Sequence, residues 1–195
     1  MSESAELPPE FDPDRIGWTG IEVLDNGLPA LPDVLTYQMS IPVAYWKANG
    51  CAVVLFLYFR HWGDEVMPMV MLGTFSREGE GWSAHQHWYG TGWSHDPIKH
   101  PDDLRDLGGE TIASGGGSWP SSPASGDPAG VVTGRAGPSV KQIALIQHGK
   151  EDRRTLQSHF GAWVVCIEHP SPYRIAALDE NGIVLGYIDG PWQDQ

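Results

Sequence analysis

The stretch VAYWKANGCAVVLFLYFRHWGDEVMPMVMLGTF, Val43–Phe75, decides the fold class. Two apolar runs, Val43–Trp46 and Cys51–Arg60, flank Asn49-Gly50, a dipeptide that tolerates the positive φ angles of a tight hairpin turn. Cys51–Arg60 shows no polar alternation, so it reads as a strand buried on both faces rather than one with a wet side. Its apolar core, Cys51–Phe59, is far shorter than the about 20 residues a membrane helix needs. Val66–Phe75 reads as a second strand, with Pro68 placing its start near an edge or a bulge, because proline cannot donate to a central ladder. An apolar edge of this kind invites pairing with a second copy, so a homo-oligomer is an expectation. Arg77–Gly81 then reads as a turn and Trp82–Tyr89 as a third strand, completing an antiparallel meander.

Toward the N-terminus the pattern dissolves. Pro8, Pro9 and Pro13 block helix propagation, and only Pro29 to Met39 offers room for one short helix. Residues 1–36 hold Glu3, Glu6, Glu10, Asp12, Asp14, Glu22, Asp25 and Asp33 against Arg15 alone, an acidic arm suited to a basic partner. Toward the C-terminus, Gly108–Gly130 is dominated by glycine, serine and proline and reads as a linker or long surface loop. It lacks the Lys-Ser/Thr that follows a phosphate loop. Beyond it, short apolar runs recur between turn signals: Val131–Thr133, Val140–His148, Arg153–Ser158, Phe160–Glu168, Tyr173–Leu178 and Ile183–Ile188. That spacing indicates a sandwich or barrel. The expected fold is mainly β with little helix. It would comprise an acidic irregular arm (1–36), an antiparallel unit (37–107), the glycine/serine-rich segment (108–130) and a sandwich-like unit (131–195), the two units packing together or forming one continuous domain.

Within the last unit, GRAGPSVKQIALIQHGKEDRR, FGAWVVCIEHP and YRIAALDENGIVLG together resemble a small β-sandwich module of uncharacterised proteins from high-GC Gram-positive bacteria. The resemblance covers roughly residues 130–190 and rests on turns and core positions. It implies a bacterial source and a fold, and no activity.

Composition excludes some functions. The 195 residues carry 12 basic and 25 acidic side chains, a net charge of −13. Phosphate-backbone binding needs a basic surface, so the balance argues against a nucleic-acid partner, and equally against anionic membranes. The opening MSESAELPPEFDPD is acidic without an apolar signal core, which leads to the expectation of a soluble cytoplasmic protein. Cys51 and Cys166 both lie in apolar runs and read as buried free thiols rather than as a disulfide.

The richest candidate site is Gly81–His100, GWSAHQHWYGTGWSHDPIKH. On a regular strand His85 and His87 share a face, and with His95 they would make a zinc or iron site, with Asp96, His100 or Glu80 as alternates for the third ligand. Trp82, Trp88, Tyr89 and Trp93 are candidates for an aromatic binding face, since exposed aromatics anchor protein interfaces and stack on sugars. No Gly-x-Ser-x-Gly elbow, His-Glu-x-x-His or Cys-x-x-Cys occurs, and neither cysteine has the electropositive, exposed setting that makes a nucleophile. Arg153-Arg154 reads as a solvated strand face. The favoured reading is therefore a non-enzymatic protein acting through a protein partner of basic character, as an adaptor, accessory subunit or immunity-type factor. A metal-binding protein or metal-dependent enzyme at His85/His87, and a small-ligand or carbohydrate binder using the tryptophans, are the alternatives.

Overall fold

Asn49-Gly50 does make a hairpin turn, between strand β1 (Ser40–Lys47) and strand β2 (Cys51–Trp62). The computed structural model describes residues 19–37, 39–62, 64–89, 98–106, 112–118 and 129–190, with backbone alone for 61–62, 85–89, 106 and 112–118. β2 pairs onward with β3 (Glu65–Glu78), and β3 with β4 (Gly81–Tyr89), forming an antiparallel sheet ordered β1-β2-β3-β4. The unbroken apolar character of β2 has a direct cause: each of its faces is covered. Val53, Leu55, Leu57 and Phe59 enter the main core, while Ala52, Val54 and Phe56 on the opposite face pack with Val23 and Leu24 of helix α1 (Gly20–Asn26).

That helix lies outside the stretch expected to hold one, and the described residues between 29 and 39 are not helical. Thr19 explains the difference. Its side chain accepts a hydrogen bond from the Glu22 amide at 3.2 Å, while the Glu22 carboxylate accepts from the Thr19 amide at 2.7 Å. This reciprocal capping box satisfies two otherwise orphaned donors, which a helix of seven residues needs more than a long one.

Met71–Phe75 is interior, since β3 there runs between β2 and β4, whereas Val66–Val70 extends past the β4 ladder and pairs with β2 alone, apart from the bridge from Val66 to Ile98. Pro68 is accommodated because β3 outruns its neighbour: the β4 ladder starts at Met71 opposite Tyr89, while Pro68 opposes Phe59 of β2.

The remaining strands are β5 (Ile112–Ser118), β6 (Gly130–Ala136), β7 (Gln142–Gln147), β8 (Lys150–Thr155), β9 (Ala162–Ile167), β10 (Tyr173–Leu178) and β11 (Val184–Gly190). They form two further antiparallel sheets, ordered β11-β10-β7-β8 and β5-β6-β9. The protein is mainly β and antiparallel, as the turn spacing indicates, with the C-terminal strands divided between two sheets. β5 occupies part of the stretch Gly108–Gly130 that reads as linker or loop, of which 108–111 and 119–128 lie outside the described residues. Its backbone ladders with β6 from Ile112 opposite Ala136 to Ser118 opposite Val131, with a bulge at Gly115. A strand carrying Gly115-Gly116-Gly117 shows no side-chain alternation, yet its backbone pairs on either side of that bulge.

One hydrophobic core runs through all three sheets. Leu55 and Leu57 of β2 share it with Val131 and Val132 of β6, Ile143 of β7, Trp163 and Val165 of β9, and Ile175 of β10. The seam is made where β9 lies against β1: Ala44 bridges Ser158, and the His159 amide donates to the Val43 carbonyl at 2.8 Å. Gly161, at φ +70, is required there, because a Cβ would stand 2.2 Å from the Ala136 carbonyl oxygen.

Candidate functional site

β1, β8 and β9 each end their sheet, and these three edges meet around Trp46. The ring of Trp46 is buried, and the Arg154 guanidinium lies 4.2 Å from its centroid. Arg154 is held in a fork by Asp152, with Nε donating to Oδ1 at 3.0 Å and Nη2 to Oδ2 at 2.6 Å. Period two along β8 puts Asp152 and Arg154 on one face, the same side of the sheet as Leu145 and Ile143 opposite them. An inward-facing charge pair on an edge strand discourages further strand pairing. Arg154 is thus the cover of a buried indole rather than a purely solvated cation, whereas Arg153 pairs at the surface with Glu151 at 2.6 Å.

Two hollows share Trp46 and Arg154 in their walls. A cavity of about 360 Å³ is lined by Tyr45, Lys47, Leu156, Gln157 and Trp163. A wider one of about 740 Å³ is lined by Asn49, His148, Lys150, Cys166, Glu168 and His169. Trp46 and Trp163 are both buried, and neither indole N–H meets an acceptor among the described residues. Glu168 is engaged structurally: its Oε1 accepts from the amides of Asn49 at 3.1 Å and Gly50 at 3.5 Å, tying the β1–β2 turn to the end of β9. Cys166 lies beside Cys51 of that turn, with the two Sγ atoms 2.6 Å apart. The hydrogen bond to Cys51, then burial, push the Cys166 thiol well above its ordinary pKa. It stays protonated at neutral pH, which suits no nucleophilic catalysis.

The second candidate surface is β11, the edge opposite β8 in the same sheet. Ile183, Val184, Leu185 and Tyr187 are 62%, 40%, 38% and 52% exposed. The β10–β11 register steps here, with Ala177 opposite Gly186 and Leu178 opposite Val184, so Leu185 is the extra residue of a bulge. Below it, Arg174 donates to Asp189 at 2.5 and 3.1 Å and lies 4.8 Å from the Tyr187 ring centroid. This fork raises the Arg174 pKa and lowers that of Asp189, holding both charged. No family model matches this chain, and no curated protein or solved structure matches it either. Function is therefore argued from these surfaces.

Most of the side chains singled out in Gly81–His100 are not placed by the structure. The side chains of His85, His87, Trp88 and Tyr89, and all of Trp93 and His95, lie outside the described residues. The backbone of β4 steps between Ala84, opposite Phe75, and Gln86, opposite Thr74, which leaves His85 without a ladder partner. Trp82 is half-buried against the α1 cluster, with Arg77 directly opposite and its guanidinium 5.1 Å from the ring centroid. His100, an alternate third ligand, accepts at Nδ1 from the Asp102 amide at 3.2 Å in the 3₁₀ helix Pro101–Asp106. Asp102 in turn is held below the usual carboxylate range, first by the Leu35 amide and then by Arg105. Among the described residues no three His, Cys, Asp or Glu side chains converge. No helix among them is long and apolar enough to cross a membrane.

β11 escaped notice as a site because Ile183–Ile188 was read only as a strand. Its signal was present: Ile183-Val184-Leu185 is apolar at consecutive positions, so one side chain at least must face outward. The pairing of Arg154 with Trp46 had no local signal, since the two residues are brought together only by the folding of β8 against β1.

Proposed function

We propose that this chain is a non-enzymatic binding protein that docks an extended segment of a basic protein partner along β11. The single observation that carries the reading is the exposed row Ile183, Val184, Leu185 and Tyr187 on a sheet edge. A strand at a sheet edge presents amides and carbonyls whose pairing gives strand addition its affinity, and an apolar row beside them offers contacts to the incoming side chains. Charge supplies the partner's character. Asp179 and Glu180 precede β11, and the whole chain carries −13. A segment with lysine or arginine between its apolar residues would be steered toward that surface.

The test uses short synthetic peptides of alternating valine and lysine, with glutamate replacing lysine in the control set. Fluorescence anisotropy on the full chain should show binding of the basic set alone. Leu185→Asp with Tyr187→Asp should weaken it about tenfold or more, equivalent to about 1.4 kcal/mol. Equal binding of both sets, or binding untouched by the double variant, would sink the proposal. Concentration-dependent dimerisation lost in that variant, with no peptide bound, would assign β11 to a second copy instead.

The cleft at Trp46 supports a second reading, a small ligand with hydrogen-bond acceptors. Two buried indole N–H groups that meet no acceptor among the described residues belong to side chains lining a cavity of about 360 Å³. A buried donor left unmade is unfavourable by roughly 1–3 kcal/mol, which an acceptor on a ligand would recover. Tryptophan fluorescence across a panel of small carboxylates and amides tests it, and a response that persists in Trp46→Phe would exclude this cleft.

A further inference from the structure

The only two cysteines of the chain, separated by 115 positions, meet at the seam between sheets. Cys51 opens β2 immediately after the Asn49-Gly50 turn, and Cys166 lies near the end of β9. Nothing in the binding function proposed above requires them. A Val or Ala pair would occupy the same apolar space without a reactive group. Their sulfurs are nonetheless in direct contact at 2.6 Å. The backbones on either side are already joined, since Glu168 accepts from both amides of the turn that precedes Cys51. Bond formation would therefore need a few tenths of an ångström of side-chain motion and no rearranged strand.

We infer that Cys51 and Cys166 are a site of reversible oxidative modification, a dithiol that peroxide-class oxidants convert to a disulfide locking β2 to β9. Cys166 is fully buried behind the wall of the wide hollow, and Cys51 keeps 4% of its surface exposed, so a small oxidant reaches the pair through Cys51. The chemistry balances as follows. One thiol sulfur attacks the O–O bond of hydrogen peroxide, giving a sulfenic acid and releasing water. The second thiol displaces the hydroxyl from that sulfenic sulfur, forming the S–S bond and a second water. Two thiols and one peroxide become one disulfide and two waters, each sulfur losing one electron and the peroxide gaining two. A small dithiol returns the pair by exchange. The raised pKa of Cys166 makes the first step slow, so the pair responds to sustained oxidant and is not consumed by traces.

Its consequence is mechanical. Closing a loop of more than a hundred residues removes much of the freedom of the unfolded chain. It also fixes the wall of the hollow formed by Asn49, Cys166 and Glu168.

The experiment treats the full chain with hydrogen peroxide, quenches, and alkylates in denaturant. The oxidised wild type should lose both alkylation sites, yield a 51–166 cross-linked peptide that dithiothreitol cleaves, and melt about 10 °C higher. Cys166→Ser should leave Cys51 alkylatable and show no rise in melting temperature on the same treatment. Wild type that keeps both free thiols, that advances to sulfinic acid, or that cross-links between chains would overturn the inference. So would a melting temperature that rises equally in Cys166→Ser. Because the wild-type measurement needs no variant, a poorly folding Cys166→Ser would leave the inference still open to refutation.

Discussion

The two edges of the sheet β11-β10-β7-β8 are built on opposite principles. β8 reads Lys-Glu-Asp-Arg-Arg-Thr, with five charges in six residues. Its inward-facing pair Asp152 and Arg154 closes over Trp46, and its outward pair Glu151 and Arg153 faces water. β11 reads Val-Leu-Gly-Tyr-Ile-Asp-Gly and leaves four apolar side chains exposed, counting Ile183 just before it. Both edges belong to one sheet and see the same solvent, so the solubility pressure that charged β8 applied to β11 as well. The proposed docking along β11 rests on this contrast between the two edges. The bulge at Leu185 points the same way, because a bulge re-aims side chains at the cost of ladder regularity.

That contrast yields a ranked set of substitutions. The largest effect on stability is expected beneath the protected edge. Trp163→Ala removes a buried indole at the seam of the three sheets and should lower unfolding free energy by about 3–5 kcal/mol, read from urea denaturation. A loss below about 1 kcal/mol would mean the seam is not a shared core. Next comes the cover itself. Arg154→Ala uncovers Trp46 and leaves Asp152 without its fork, and should destabilise by about 1 kcal/mol. The guanidinium is one-third exposed, which keeps the figure small. On the open edge the stability effect should nearly vanish. Leu185→Ser and Tyr187→Ser remove surface that water already reaches, and each should shift stability by less than about 0.5 kcal/mol while weakening basic-peptide binding by less than the double aspartate variant does. A large loss of stability there would show that β11 is structural, and the contrast between the edges would collapse.

A smaller, pH-dependent effect is expected at the connection leaving β8. His159 is half-buried, with its Nε2 2.8 Å from the Pro29 carbonyl oxygen. Burial, the dominant cause, lowers its pKa below the ordinary 6.5. The unfolded chain then binds the proton more readily than the native one. The contribution is full above about pH 6.5 and is lost as pH falls through the folded value. The urea midpoint of the wild type should therefore drop more than that of His159→Gln between about pH 7 and about pH 5.5. Parallel profiles would remove His159 from the account.

The sequence made the strands legible where side chains announce them. Cys51–Arg60 could be read as doubly buried because each face needed apolar residues, and the structure shows two separate clusters meeting it. Asn49-Gly50 located its turn, although neither residue there takes the positive φ that the dipeptide tolerates. β5 was illegible for the complementary reason: glycine ladders carry no pattern, and only β6 opposite reveals them. Helix α1 was missed although Thr19-x-x-Glu22 spells its cap, because the apolar stripe behind it is only Val23 and Leu24. The sites were less legible than the fold. Arg154 over Trp46, and Cys51 against Cys166, are contacts between residues more than a hundred positions apart, and no local spacing encodes them. Exposure of β11 depends on what the rest of the chain leaves uncovered, which periodicity does not reveal.

The most direct test of the docking edge is residue-resolved amide hydrogen exchange, with and without the valine–lysine peptide. Amides of β11 that do not bond to β10 should exchange rapidly in the free protein and become protected when the peptide is added, while those of β8 remain unchanged. Protection of β11 already present in the free monomer, or protection appearing at β8 instead, would contradict the assignment of β11 as the binding edge.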